Sequence, residues 1–364
     1  MPNTTLLHSP LHDEHLRLDG RLVNFAGWKM PVQYTGILEE HRAVRSGCGA
    51  FDISHMGQVF LSGENAAGWL NKMLTGNIPA MDGKTSLYTF MLNENGGIID
   101  DLIAYRVGPE SFLLVVNASM VEEDLEWLRG QLEEGILLED RSREFAAIAI
   151  QGPDAEAVAR DILAETGCAM PARNTLDDFP GTSGMTYLCG TGYTGEPGFE
   201  LICPVEDGPQ WFNKALQAGA MPCGLGARDS LRLEMGFPLN GTDLSAERSP
   251  LTAGLGFFVD LEKGPFIGRD VLMKEKQEGV REKLTGIEMT VKGPPPRPGY
   301  ALLSEDEPVA HFCSAGLSPS LGRGIGMAYL PVALSRIDTA LEIDIRGRSF
   351  AARVAKKPFY RRPR

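Results

Sequence analysis

The 364-residue chain is poor in cysteine, in basic charge and in long apolar runs. Its six cysteines (Cys48, Cys168, Cys189, Cys203, Cys223 and Cys313) form no C-x-x-C pair. That excludes a zinc ribbon or thioredoxin-type motif and points to reduced thiols in a cytoplasmic protein. No apolar run approaches the roughly 20 residues needed to cross a bilayer. The N-terminal stretch has neither a basic segment nor a long apolar one, and it carries Asp13 and Glu14, which argues against a signal or transit peptide. Lys and Arg number 35 against 48 Asp and Glu, a net charge of −13, which excludes a general binder of nucleic-acid phosphates. The deficit is uneven. Residues 281–364 hold 14 bases against 8 acids, and residues 1–280 hold 21 against 40. Also missing are a Walker-type phosphate loop and a G-x-S-x-G nucleophile elbow. His12 and His15 lie three apart without a third ligand nearby, so no metal site is expected. Asp52-Ile53-Ser54-His55 is set aside as a nucleophile–base pair, because adjacency in sequence is not geometry.

What is present reads as a globular chain of helices and strands, with 43% hydrophobic and 23% charged residues. Val121, Leu125, Leu128 and Leu132 recur at helical spacing and place a helix near 121–132. Residues 59–70 (VFLSGENAAGWL) and 148–159 (IAIQGPDAEAVA) each run from an apolar segment through a glycine into an Ala- and acid-rich helix start. They suggest a duplicated strand–turn–helix unit, with Asn65 and Asp154 placed to satisfy free N–H groups early in each helix. Tyr88–Leu92, Ile98–Val107 and Phe112–Asn117 read as strands, with Asn95-Gly96-Gly97 as a hairpin signal. Antiparallel strands mixed with helices give an α+β architecture. A charged helix near 268–280 precedes a change of texture. From Leu284 on, six short β-type runs (LTGIEMTV, GYALLS, PVAHFC, GIGMAYL, LEIDIRG and SFAARVA) alternate with turns. They predict a small barrel or sandwich, with a domain boundary near 280 that separates residues 1–280 from 281–364.

Four features carry chemical interest. Residues 190–195, GTGYTG, fit G-x-G-x-x-G, but another strand follows instead of the helix that a dinucleotide site needs. The segment reads as a hairpin holding Tyr193 and Glu200, an aromatic and an acid that could face a ligand. Gly224-Leu225-Gly226-Ala227-Arg228-Asp229 opens a helix running to Met235 and stopping at Gly236. Arg228 sits in its first turn, where the helix dipole disfavours a cation, a local conflict of the kind found at functional sites. In IIDDLIAYRV (98–107), Asp100 shares a strand face with Ile98 and Leu102, and Asp101 shares the other with Ile99 and Ile103. Both faces are apolar, so at least one carboxylate is buried, and the pair is the best acid/base candidate. Finally, the C-terminal KKPFYRRPR is either a solubilising end or an attractor of anions.

Taken in order, FAGWKMPVQY (25–34), AFDISHMGQV (50–59), NENGGIIDDLIAYRV (93–107), VVNAS (115–119), IQGPDA (150–155), GYTGEPGFE (192–200), CGLGARDSLRLEMGFPLNG (223–241) and KKPFYRR (356–362) closely resemble the glycine cleavage T-protein family. The resemblance implies an α+β fold of three domains in a cloverleaf, with two related α+β units and a C-terminal β-barrel. It implies an aminomethyltransferase, with tetrahydrofolate as co-substrate and the lipoylated H protein as partner. By position in the motifs, Asp101 matches the family's catalytic acid, and Glu200, Arg228 and Tyr193 match positions that hold the folate. Tyr88, Met56 and Asn117 match pocket positions. The family's barrel segment Thr-Ser-Gly-x-Phe-Ser-Pro-x-Leu-Gly reads here Cys313-Ser314-Ala315-Gly316-Leu317-Ser318-Pro319-Ser320-Leu321-Gly322, which keeps only its second half. The same fold serves folate-dependent demethylases of small sulfonium or amine donors, and a folate-binding accessory protein of iron–sulfur assembly. The Lys-Gly-Cys-x-x-Gly-Gln-Glu signature of that last relative is absent.

Overall fold

The computed structural model describes residues 6–362. They form two compact units. One holds the chain up to Leu70, Ile78–Tyr88 and Leu102–Asp229; the other holds Asn71–Asn77, Thr89–Asp101 and the chain from Ser230 on. The strand Ile98–Gly108 passes from the second unit into the first after Asp101.

The first unit is built on a six-stranded sheet. Its order is Leu176–Pro180, Met185–Cys189, Gly198–Pro204, Phe145–Gln151, Gly49–Asp52 and Met221–Cys223. Phe145–Gln151 is buried at every residue, as expected of a central strand covered on both faces. Helix Ala155–Ile162 turns Ala155, Val158, Ala159 and Ile162 inward, the i, i+3, i+4, i+7 stripe of an amphipathic helix. They join Ile148, Phe199, Leu201 and Phe212 in one core. A five-stranded sheet has the order Ser86–Leu92, Ile98–Gly108, Ser111–Val116, Gly57–Gly63 and Ile136–Asp140.

The two sequence segments read as a repeat have matching geometry. Gly57–Gly63 and Phe145–Gln151 lead, through Gly63 (φ 131°) and Gly152 (φ 142°), into helices Ala66–Met73 and Ala155–Ile162. A β-carbon at Gly63 would lie 2.0 Å from the Gly135 carbonyl oxygen, and one at Gly152 would lie 2.2 Å from that of Gly47. Both turns thus need glycine for the same two reasons, a positive φ and a backbone carbonyl in the space a side chain would take. The start of the second helix differs from expectation. Asp154 precedes its helix and makes no side-chain capping bond; its backbone N–H is already held by Gly47 O at 3.0 Å. The helix Val121–Gly130 buries Leu125 and Leu128 but ends before Leu132, which is exposed. Gln131 and Leu132 instead bond back to the carbonyls of Leu128 and Arg129, a tightened last turn.

In the second unit six strands close a barrel in the order Glu282–Met289, Arg323–Pro331, Glu307–Ser318, Ala301–Ser304, Ala340–Asp344 and Ser349–Ala355. All six β-type runs of the sequence take part. Alternate residues fill the interior: Ile287 and Met289, Ala328 and Leu330, Leu341 and Ile343, Ala352 and Val354. The period of two is that of a strand with one face inward. Helix Arg269–Glu278 lies between Gly268 (φ 84°) and Gly279 (φ 80°). Among the described residues no helix is long and apolar enough to cross a membrane.

Candidate functional site

The G-x-G-x-x-G segment lies in the hairpin loop between the paired strands Met185–Cys189 and Gly198–Pro204. Gln151 reaches into it: its Nε2 donates to Thr191 O, and its Oε1 accepts from Thr194 Oγ1 at 2.9 Å. Arg45 donates to Thr194 O and to Glu196 Oε1, both at 2.8 Å, in a buried ion pair. A β-carbon at Gly192 would fall 2.0 Å from Gln151 Oε1. The glycines therefore admit the protein's own amide side chain, and no phosphate is needed to explain them.

Glu200 stands on the strand leaving this loop and is only 8% exposed. Thr191 Oγ1 donates to its Oε2 at 2.6 Å, and the Tyr105 hydroxyl lies 2.7 Å from the same Thr191 oxygen. Burial raises the Glu200 pKa, against the lowering effects of the Thr191 hydrogen bond and the Arg228 charge. The Arg228 guanidinium lies 4.6 Å from the Tyr193 ring centre, within cation–π range. His55 is buried, with Phe25 edge-on to it at 5.3 Å. Burial, and then the Arg228 charge, press its pKa down to about 4, so its ring is neutral near pH 7.

The start of the Arg228 helix is set by Glu40. This buried carboxylate accepts from Gly224 N at 2.8 Å through Oε2, and from Tyr34 N (2.6 Å) and Gly36 N (3.1 Å) through Oε1. A second buried network holds the turn before His55. Asp52 accepts from Ser9 Oγ, lies 2.8 Å from His15 Nε2 and accepts from Ser54 N at 2.9 Å, while Tyr34 OH meets His15 Nδ1 at 2.9 Å.

In the second unit Asp100 is fully buried and accepts from Asn240 Nδ2, which also donates to Ile99 O at 2.9 Å. Asp101, on the opposite strand face, is half-buried. The retained half of the barrel segment clamps Glu234: Ser318 Oγ, Ser320 N and Ser320 Oγ all donate to its carboxylate. Ser314 joins Arg232 in binding Asp243 Oδ2. The basic C-terminal segment is packed. Phe359 N and Tyr360 N bond to Glu234 O, and half-buried Lys357 donates to Leu284 O at 3.2 Å. A solubilising end is therefore a poor description of residues 357–360, whereas Lys356, Arg361 and Arg362 are exposed. Arg364 lies outside the described residues.

Residues 11–263 match the family model of the GCVT N-terminal domain, and residues 282–361 match that of the glycine cleavage T-protein C-terminal barrel domain. The chain belongs to the glycine cleavage T-protein family. It is 40% identical over 368 residues to an aminomethyltransferase of Desulfitobacterium hafniense (strain DSM 10664 / DCB-2), covering 99% of both chains. It is 41% identical over 362 residues to one of Geobacillus kaustophilus, covering 98% of this chain and 99% of that one. The crystal structure of glycine cleavage system aminomethyltransferase T from Bartonella henselae superposes with a TM-score of 0.91 at 31% identity, over 98% of this chain and 99% of that one. This T-protein family member is an aminomethyltransferase.

Of the positions singled out from sequence in this aminomethyltransferase, Glu200, Arg228 and Tyr193 fall in the first unit, the last two in ring contact. Met56, in the turn after Asp52, is half-buried and gives its carbonyl to Gln58 Nε2 at 2.7 Å. Tyr88 and Asn117 are also half-buried and in the first unit. Asp101 belongs to the second. Sequence reading missed Glu40, Thr191 and Tyr105. A lone acid in an amphipathic helix gives no signal, but Thr191 sits inside the flagged loop and Tyr105 on the flagged strand. Among the described residues no group of three or more His, Cys, Asp or Glu is placed to hold a metal.

Proposed function

We propose that the chain transfers the methylene of an aminomethyl group, carried on the dihydrolipoyl arm of the H protein, to tetrahydrofolate. The observation that carries this reading is Glu200, a buried carboxylate in the same unit as the Arg228–Tyr193 pair. A buried acceptor suits the donor-rich edge of a pterin, and a guanidinium suits an anionic or carbonyl group. Glu200 accepts hydrogen bonds from the pterin, Arg228 anchors a carbonyl or carboxylate, and Tyr193 contributes a ring face. Tyr88, Met56 and Asn117 line the pocket.

The overall step balances simply. The methylene carbon leaves sulfur and nitrogen and ends bonded to two folate nitrogens. Of the two protons those nitrogens give up, one goes to the sulfur, released as a thiol, and the other to the departing ammonia. Asp101 is the proton-handling group. Its neighbour Asp100 is fully buried and committed to Asn240, whereas Asp101 lies half-buried on the other face. General acid–base help of this kind contributes about 10²–10⁴-fold, and bringing two bulky carriers together supplies much of the remainder.

The test is ammonia release from aminomethylated H protein with and without tetrahydrofolate. Release should depend on folate, and folate-independent release of equal rate would sink the reading. Asp101→Asn should lower kcat by about 10²-fold or more, with little change in folate affinity. Near-wild-type turnover would remove Asp101 from proton transfer.

A further inference from the structure

We infer that Thr191 and Tyr105 form a chain of hydroxyls that orients the Glu200 carboxyl group for ligand binding. The inference rests on the folate-site reading of Glu200 and names two positioning residues for it. Thr191 Oγ1 lies 2.6 Å from Glu200 Oε2 and has a single hydroxyl proton to donate to that carboxylate. With that proton given to an ionised Glu200, the Thr191 oxygen is left to accept from the Tyr105 hydroxyl 2.7 Å away, a hydroxyl that also meets the Cys189 thiol. Tyr105 has no other role open to it as a charged group, because it is wholly buried and its pKa is driven well above the ordinary phenol value by desolvation.

The chain offsets a specific cost. The cross-strand neighbours of Glu200 do not favour its charge. Cys189 lies directly across the strand pair from it, on one side, and Ala149 on the other. Cys189 is fully buried, with its thiol pKa pushed well above the ordinary value, so it faces Glu200 as a neutral, weakly polar group. Arg228 is the cation that lowers the Glu200 pKa, and Thr191 is the hydroxyl bonded to it. Without Thr191, desolvation is opposed by Arg228 alone. A donor that is itself polarised by a second donor holds a carboxylate more firmly than a lone hydroxyl does. The chain also fixes direction. With Oε2 held by Thr191, the plane of the carboxylate is set before any ligand arrives. The anchoring residues come from the strand Ile98–Gly108 and the 190–197 loop, and the loop is itself bonded to Gln151.

The test compares Thr191→Val, Thr191→Ser, Tyr105→Phe and Glu200→Gln in the full chain. Tetrahydrofolate affinity is measured by fluorescence or calorimetry from pH 5 to 8, and kcat and KM are measured with aminomethylated H protein. Loss of a hydrogen bond to a charged group corresponds to about ten- to hundredfold in affinity. Thr191→Val should weaken folate binding by that factor, with kcat nearly intact, and should move the acid limb of the affinity–pH profile upward. Thr191→Ser should restore both, and Tyr105→Phe should show the same direction with a smaller change. If Glu200→Gln weakens binding but Thr191→Val and Tyr105→Phe alter neither affinity nor profile, the donor chain is wrong while the site stands. If Glu200→Gln itself leaves folate affinity unchanged, the site reading falls. Thermal midpoints of all four variants separate misfolding from either outcome: a variant with a collapsed midpoint is replaced by another that also lacks the hydroxyl, Thr191→Ala or Tyr105→Leu.

Discussion

His55 gives a sharp prediction about acid. Its ring is buried and its pKa is about 4 in the folded chain, against 6.5 in the unfolded one. Between those values the unfolded state binds a proton that the folded state refuses. Stability is therefore unaffected by His55 above pH 6.5 and is lost progressively as pH falls toward 4. The slope is about 1.4 kcal/mol per pH unit, so about 3 kcal/mol is lost across the window. His55→Asn removes the titration while keeping a polar side chain. Thermal unfolding of both proteins from pH 7 to pH 4.5 is the assay, and the slope matters more than the level, since Asn fills the space less well. The wild type should lose stability more steeply than the variant, and the two curves should converge or cross on acidification. Asp52 does not blur the result. Its pKa is lowered from 3.8, mainly by His15 acting against burial, so its contribution is lost only below that window. Parallel curves between pH 6.5 and pH 4.5 would refute the argument, as would a His55 proton resonance titrating near pH 6.5.

Further outcomes test the Glu40 network and the C-terminal segment. Glu40→Ala strands the N–H groups of Tyr34, Gly36 and Gly224; at about 1–3 kcal/mol each, stability should fall by at least about 3 kcal/mol in denaturant titration. Hydrogen exchange at Gly224 should accelerate, and under the proposed folate role of Arg228 the folate KM should rise. In the C-terminal segment Lys357→Gln should cost about 1–3 kcal/mol, because it breaks the bond to Leu284 O inside a packed surface. Lys356→Gln should leave the thermal midpoint unchanged. Neutralising Lys356, Arg361 and Arg362 together should weaken association with the proposed H-protein partner at low salt and make little difference at high salt.

Much of the local structure was legible in the sequence because it is written in short periods. The helix ending at Met235, the helix between Gly268 and Gly279, and all six barrel runs follow from periodicity and glycine punctuation. The helix near 121 was overrun by two residues because Leu132 keeps the spacing after the backbone has stopped. The pairing of Gly49–Asp52 with both Phe145–Gln151 and Met221–Cys223 was not legible, since no local pattern records which distant strand is a neighbour. The same limit hid His55, Asp52 and His15. Adjacency in sequence says nothing of geometry, and their burial against Ser9, Tyr34 and Phe25 is created by tertiary packing. With Asp100 and Asp101, strand alternation framed the question, and only Asn240, 140 positions away, settled which one is committed to the interior.

The 190–197 loop has a consequence for the kinetics of binding. A glycine-rich segment left to itself would sample many conformations, and a ligand would have to freeze it at an entropic cost of about 1–2 kcal/mol per residue. Here Gln151 and Arg45 have already frozen it. Tyr193 is thus carried on a surface that has little disorder left to lose, so association should be a single fast phase without a slow rearrangement. Cutting one of those internal ties would show up as a changed rate of capture before any change in the contacts themselves.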